Sequence, residues 1–174
     1  MSDIKIQPSA TGSATVTLTA PATNTARTIT LPDSTMAIPE YVEGTWQPSF
    51  VAGSGSVTAH ASYSLCRYTK IGRVVQISGL VSCSGVSSPS GTLQMHGLPY
   101  AVDNNTSGET SGNAAIAIGG IVDLAASVHV LTMRPEPGTS YISIEEFTGT
   151  TTTGNTANKW QNGTYFRFSG TYTV

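Results

Sequence analysis

The stretch VVQISGL at residues 74–80 decides the fold class, because apolar and polar side chains alternate along it. The two sides of an extended chain would carry Val75, Ile77 and Gly79 on one face and Val74, Gln76 and Ser78 on the other. Alternation with a period of two predicts a β-strand that covers a core with one face. Because Val74 is also apolar, the second face is expected to be partly apolar.

Similar short runs recur through the rest of the chain, separated by turns rich in Gly, Ser, Pro and Asn. Charged residues are only 10% of the sequence, and Val and Ile together outnumber the helix formers Glu, Lys and Leu. The predicted strands are residues 45–51, 57–68, 73–83, 91–95, 114–118, 128–134, 141–144 and 164–174. Gly72 lies where a hairpin needs a positive φ, and the aromatic last strand is expected in the middle of a sheet. The pattern predicts an all-β fold with a jelly-roll-like β-sandwich.

Charge and hydropathy argue against two classes of partner. The net charge is −2 and the eight basic residues are scattered, so no nucleic-acid partner is expected. The apolar stretch at residues 113–133 is interrupted by Gly119, Gly120 and Asp123, which favours two strands over a helix inserted in a membrane. We therefore expect neither nucleic-acid binding nor membrane insertion.

The cysteines and histidines give no sign of a metal or cofactor. Cys66 and Cys83 are the two cysteines, and they form no CxxC pair and have no histidine at ligand spacing. Buried free thiols are the favoured interpretation, and a disulfide stays open if their strands pair. No metal site and no cofactor are expected.

An extended arm precedes the body. Residues 14–20 alternate small aliphatic residues with threonines, and residues 28–31 repeat the pattern briefly. A hairpin with so little apolar bulk cannot form a core alone. Its apolar face must therefore be covered by copies of itself or by a larger assembly. We predict an attachment and trimerisation arm at residues 1–39 and a head domain at residues 40–174. The attachment side chains are Val16, Leu18, Ile29 and Leu31.

Four motifs follow in order along the body: GTWQP at residues 44–48, YTKIGRVV at 68–75, GLPY at 97–100 and FSGTY at 168–172. With them the body resembles the C-terminal domain at the ends of bacteriophage tail fibres, tail spikes and related virion appendages. The arm, with TLTAP at residues 17–21 and RTITLPD at 27–33, resembles the threonine-rich segment that precedes such domains. The resemblance implies a homotrimer with arms wound together and heads gathered around a threefold axis.

Two roles on the virion surface stay open. In the first, the chain is a short trimeric tail fibre or receptor-binding appendage that contacts host surface glycans. In the second, it is a capsid-attached head fibre, spike or decoration protein anchored to the shell by its arm. Either role makes another phage structural protein the partner of the arm, with assembly in the host cytoplasm.

A catalytic role is not expected, because no nucleophile elbow, P-loop, dinucleotide fingerprint or HExxH motif occurs. Binding is favoured instead. Loops rich in Asn, Ser, Thr and Gly beside aromatic residues combine adaptable hydrogen bonds with rigid faces, although such loops also serve as solvated connections. The candidate glycan-binding residues are Asp103, Asn104, Asn105, Thr106, Asn155 and Trp160.

Overall fold

The structure is a computed structural model, and it describes residues 17, 22–26, 28, 38–104, 114 and 116–174. The chain divides into one unit at Met1–Ala37 and another at Ile38–Val174. The predicted attachment side chains, Val16, Leu18, Ile29 and Leu31, lie outside the described residues. The description below therefore concerns the second unit.

The second unit is built from strands, which confirms the all-β prediction. The strands are β1 Tyr41–Trp46, β2 Ser49–Val51, β3 Ser54–Ala59, β4 Cys66–Ile71, β5 Val74–Ser90, β6 Leu93–His96, β7 Ile116–Val122, β8 Val130–Pro135, β9 Tyr141–Phe147, β10 Thr152–Thr153 and β11 Tyr165–Thr173. A single 3₁₀ turn at Ala157–Lys159 is the helical element of the described residues. None of the helices in the described part is long and apolar enough to cross a membrane.

All strands pair antiparallel in one continuous path, in the order β1-β4-β5-β11-β7-β8-β9-β6-β2, with β10 on β9 and β3 on β5. The two strands at the ends of this path, β1 and β2, are separated in sequence only by Gln47 and Pro48. The path therefore returns to where it started. Strand β11 lies between β5 and β7, as its aromatic sequence predicted.

Strand β5 is the longest element, with 17 residues. Its first half pairs with β4 and β11, and its second half pairs with β3. Val75 and Ile77 are fully buried while Val74 and Gln76 are exposed, so the predicted register is correct. Gly79 completes the buried side, and any side chain there would collide with Cys66 of the neighbouring strand.

Both cysteines are free and buried in this core. Burial raises the pKa of the Cys66 thiol and of the Cys83 thiol to about 12. The thiolate is the reactive form of cysteine, so both groups act here as small apolar side chains.

The strand prediction was wrong in several places. Residues 45–51, predicted as one strand, form the end of β1 and the whole of β2, with Gln47 and Pro48 between them. Residues 57–68, predicted as one strand, form parts of β3 and β4, separated by a turn in which the His60 N–H donates to the Ser82 carbonyl. Residues 84–90, predicted as a loop, form the second half of β5. Serine and glycine disfavour a strand locally, but β3 supplies the hydrogen-bonding partner that makes this segment extended.

Strand β7 and the first part of β8 lie within the apolar stretch that begins at residue 113, in agreement with the prediction of two strands there. Among the described residues, β7 and β8 pair at Ile116 and Met133. Gly97, Gly72 and Gly138 have positive φ in the connections, and Gly72, with a φ of 58°, forms the predicted turn between β4 and β5.

Candidate functional site

We call the Val74 end of β5 the base end. The first residues of the second unit and the last residue of the sequence both lie there. Lys70 Nζ lies 2.6 Å from a carboxylate oxygen of Glu40. Arg73 pairs with Asp103, and its Nε donates to the Val174 carbonyl over 2.8 Å. The base end therefore joins the start of the unit, the β4–β5 hairpin and the last residue of the chain.

Three tyrosines support the base end. The Tyr172 hydroxyl donates to the Tyr100 carbonyl at 3.1 Å and lies 3.4 Å from the Tyr100 N–H. Tyr68 meets Tyr100 edge to face at 5.8 Å, and Lys70 lies 5.4 Å from the centre of the Tyr100 ring. Burial raises the pKa of Tyr172 to about 12, so its hydroxyl keeps its proton throughout the physiological range.

The outer face of the sheet is apolar at the base end. Tyr41, Ile71 and Val74 occupy neighbouring positions on β1, β4 and β5, and are 61%, 51% and 48% exposed. The Tyr41 hydroxyl donates to the Glu43 carboxylate, and this hydrogen bond raises the pKa of Tyr41. Sequence analysis did not identify this row as a site, although the apolar Val74 on the outward side of β5 was its one signal.

We call the Ser90 end of β5 the tip end. The residues there are small and polar. Asn155 Oδ1 accepts a hydrogen bond from the Gly91 N–H at 3.2 Å, and the Ser54 and Ser90 hydroxyls lie 2.7 Å apart. Gly55, with a φ of 69°, turns β3 tightly against β5. These turns carry no charged residue, so the tip end offers neutral hydrogen-bonding groups to solvent.

The predicted glycan-binding residues are divided between these ends. Asp103 is paired with Arg73 at the base end, and the side chain of Asn104 lies beside Gly138. Asn155 lies at the tip end. Because β5 extends for 17 residues between the two ends, these side chains do not form one site. Asn105 and Thr106 lie outside the described residues.

Trp160 does not lie on a solvent-facing surface, and this corrects the expectation that its ring offers a stacking face. Only 2% of the residue is exposed. Its ring meets Phe166 at 5.2 Å and Phe50 at 5.8 Å, so it fills the core beneath the 3₁₀ turn. Its indole N–H, like that of Trp46, has no hydrogen-bond partner within the described part of the chain.

The carboxylates of β9 and its neighbours are held by cations. Arg134 bridges Glu136 and Glu145 at 2.8 Å each, and the hydrogen bond to Glu145 raises the pKa of Arg134. Glu146 points elsewhere: it accepts the His129 backbone N–H at 3.0 Å, and this bond holds the pKa of Glu146 below its usual value. These pairs link strands and turns to one another.

The residues that the structure describes hold no group of three or more His, Cys, Asp or Glu side chains placed for an ion. His96 stacks on Tyr141 at 4.7 Å, and burial lowers the pKa of His96. The stacking places the His96 ring among packing contacts, and the lowered pKa favours its neutral form.

No family model matches the chain, and no curated protein matches it. A solved structure does. The fold is similar to part of the crystal structure of Dettilon tailspike protein, with a TM-score of 0.63 and 24% sequence identity over 76% of this chain. The chain spans 24% of the length of that protein, so the likeness concerns one portion of it. A fold similar to that of most of this chain thus also occurs within a tailspike protein.

Proposed function

We propose that this chain is a bacteriophage virion structural protein, a short trimeric tail fibre or receptor-binding appendage with a jelly-roll-like head. The observation that carries the proposal is the likeness of its fold to a portion of a tailspike protein. The four ordered motifs at residues 44–48, 68–75, 97–100 and 168–172 support the same proposal independently of the fold.

The difference between the ends of β5 supports a separate role for each end. The base end contains the start of the unit at Ile38 and the exposed apolar row of Tyr41, Ile71 and Val74. Apolar surface of this kind is suited to contact with other protein. We assign attachment and assembly to the arm and the base end.

The tip end supports contact with a host glycan. Its hydroxyl and amide groups are neutral and exposed, and sugars are recognised through hydrogen bonds from such groups. Asn155 is the candidate that remains there. Trp160 is left out because its ring is covered.

The proposal includes no catalytic step. Hydrolysis of a glycan by the usual route requires two carboxyl groups at a set separation across the scissile bond. Glu136, Glu145 and Glu146 are each engaged with a cation or a backbone N–H, which supports a structural role for them.

Labelling of intact particles tests the location. Antibodies raised against the full chain are applied to phage particles that encode it and observed by electron microscopy. Label at the tail is the expected result, while label over the shell would favour the capsid-attached fibre or decoration protein. Particles that carry no label, although the antibody detects the denatured protein in infected cells, would overturn the virion assignment.

Glycan contact is tested with the purified full chain and a panel of bacterial lipopolysaccharides and capsular polysaccharides. We expect Asn155→Ala to weaken binding about tenfold, which corresponds to about 1.4 kcal/mol. The matched variant Asn104→Ala, at the base end, should bind like the unaltered protein. Equal binding by both variants would remove the tip end from the receptor contact.

A further inference from the structure

Strands β2 and β3 follow one another in the chain, yet a cleft opens between them. Strand β2 pairs with β6, whereas β3 pairs with the second half of β5, so the two strands are drawn toward different partners. The opening, which we call the β2–β3 cleft, is lined by residues 47–50 and 57–59 and has a volume of about 470 Å³. Sites for small molecules measure roughly 300–1,000 Å³. The cleft is therefore large enough for a small ligand.

The β2–β3 cleft combines covered apolar side chains with exposed hydroxyls. Val57 is buried and Phe50 is half-buried, and the Phe50 ring is backed by the Trp160 ring at 5.8 Å. Ser49 and Thr58 are exposed, one on each wall of the cleft. None of the described residues that line the cleft is charged. The cleft thus offers a fixed apolar surface and neutral hydrogen-bonding groups to the same ligand.

An exposed aromatic ring lies on the turn that borders the cleft. The turn, at residues 60–63, begins directly after β3, and Gln47 Nε2 donates to the Ala61 carbonyl at 3.0 Å, so the turn is attached to both walls. Tyr63 is 65% exposed, and its ring lies 4.6 Å from the His60 ring. The Tyr63 N–H donates to the His60 carbonyl at 3.2 Å. The Tyr63 ring is therefore held in place while most of the residue stays open to solvent.

This combination fits a neutral sugar. A pyranose ring has C–H groups on its faces and hydroxyls around its edge, so it binds where an aromatic or apolar surface meets groups that donate and accept hydrogen bonds. Tyrosine provides such a surface at a low cost in conformational entropy. A carboxylate or phosphate on the sugar would lose water in the cleft without gaining an opposite charge. The lining therefore favours an uncharged sugar over an acidic one.

We propose that the β2–β3 cleft is a subsite for one uncharged pyranose unit of a glycan, which packs on Tyr63 and accepts and donates hydrogen bonds at Ser49 and Thr58. The proposal rests on the glycan contact proposed above, and it names the class of sugar and the side chains that hold it. Tyr63 supplies the exposed aromatic face that Trp160, being covered, does not.

The subsite lies next to the tip end. Gly53, in the turn that joins β2 to β3, lies against Gly91, and the Gly91 N–H donates to Asn155. Three residues separate Phe50 in the cleft from this turn, a distance of about 10 Å along an extended chain. A glycan of two or three units can therefore contact the cleft and Asn155 at the same time.

One sugar unit in an open cleft binds weakly. A hexose has about a dozen non-hydrogen atoms, and the binding efficiency usual for small ligands then gives a dissociation constant on the order of 1 mM. Saturation-transfer difference NMR measures binding in this range.

The first test uses the purified full chain and methyl glycosides as probes. The neutral probes are the methyl glycosides of glucose, galactose, mannose, rhamnose and N-acetylglucosamine, and methyl glucuronide is the charged comparison. At least one neutral glycoside should bind with a dissociation constant on the order of 1 mM, and methyl glucuronide should bind at least about tenfold more weakly than that glycoside. No binding by any neutral glycoside, or equal binding by the glucuronide, would overturn the proposal.

Variants of the aromatic ring locate the binding. Tyr63→Ala should weaken binding of the neutral glycoside about tenfold, whereas Tyr63→Phe, which keeps the ring, should stay within about twofold of the unaltered protein. The matched control is Phe147→Ala, which removes an exposed ring on β9, where Phe147 is 41% exposed. Circular dichroism checks that each variant is folded. Equal binding by Tyr63→Ala and Phe147→Ala would overturn the proposal.

A pair of threonines repeats the test without removing a ring. Thr58→Val replaces the hydroxyl in the cleft by a methyl group and should weaken binding about fivefold, while Thr171→Val, at an exposed position on β11, should leave it unchanged. If Tyr63→Ala failed to fold, this pair would decide, and equal binding by the two threonine variants would overturn the proposal.

Failure of this inference is distinguishable from failure of the proposed function. Glycan binding that falls in Asn155→Ala and persists in Tyr63→Ala and Thr58→Val would overturn the subsite and leave the contact at the tip end intact. Absence of the protein from virions would refute the proposed function, while sugar binding measured on the purified chain would still stand.

Discussion

The two ends of strand β5 differ in chemistry although one strand forms both. The base end has ion pairs, a tyrosine cluster and an exposed apolar row, while the tip end has glycines, hydroxyls and one amide. At the base end, long side chains connect parts of the chain that are far apart in sequence. At the tip end, tight turns bring backbone against backbone, so the side chains contribute less to stability, and they are exposed for contact with other molecules.

The largest expected effect comes from a pair of glycines, one at each end. Gly55 at the tip end and Gly72 at the base end have positive φ values of 69° and 58°. At Gly55 a Cβ atom would collide with the Ser87 and Ser88 carbonyl oxygens, while at Gly72 the nearest heavy atom is the Pro39 Cβ at 3.5 Å. Gly55→Ala should reduce the free energy of unfolding by about 2–4 kcal/mol and Gly72→Ala by about 1 kcal/mol.

Chemical denaturation of the two variants measures this difference. Equal losses would show that the left-handed conformation alone sets the cost, and that the tight approach of backbone at the tip end relaxes without penalty.

The second effect is the contribution of the tyrosine cluster. Tyr172→Phe removes the hydroxyl that serves both the N–H and the carbonyl of Tyr100, and should cost about 1–2 kcal/mol of stability. Ser90→Ala removes an exposed hydroxyl at the tip end, where water replaces Ser54 as the partner, and should change stability by less than about 0.5 kcal/mol. Thermal unfolding of both variants tests the contrast, which would fail if Ser90→Ala were the more damaging change.

Much of this architecture could be predicted from local sequence. The alternation at residues 74–80 gave the register of β5, the aromatic sequence of β11 indicated an interior strand, and Gly72 marked the hairpin. Each prediction depends on the residue's own preference or on the period of its neighbours. Predictions of this kind do not depend on contacts with distant parts of the chain.

The remaining features depend on contacts between distant segments. The second half of β5 is extended because β3 pairs with it, and Trp160 is buried because Phe50 and Phe166 meet it from other strands. Nothing in the sequence around Trp160 distinguishes a covered ring from an exposed one. The predicted glycan-binding residues lie at different ends of β5 for the same reason. Nothing in the sequence around Asp103 and Asn155 indicated which end of β5 each would reach.

The third effect depends on pH and concerns Glu146. Its pKa is lowered in the folded state, chiefly by the His129 backbone N–H, so the unfolded chain binds the proton more readily. The stabilisation is therefore present above the ordinary value of 4.5 and is lost as the pH falls through the lower folded value. Glu146→Gln should remove this part of the pH dependence, as measured by denaturation at several pH values. An unchanged slope below pH 4.5 would assign the acid sensitivity to other carboxyl groups.

The smallest expected effect is a difference between the two ends in how stability depends on salt concentration. Arg73 and Asp103 are joined at the base end by a largely exposed ion pair, which contributes at most about 0.5 kcal/mol and is screened by salt. Asp103→Asn should lower stability slightly at low ionic strength and match the unaltered protein in about 1 M sodium chloride. Ser54→Ala at the tip end, where the hydrogen bond joins two neutral hydroxyls, should differ from the unaltered protein by the same small amount at both salt concentrations. Because Arg73 Nε also donates to the Val174 carbonyl, a loss at Asp103→Asn that persisted in high salt would mean that the carboxylate positions Arg73 for this second bond.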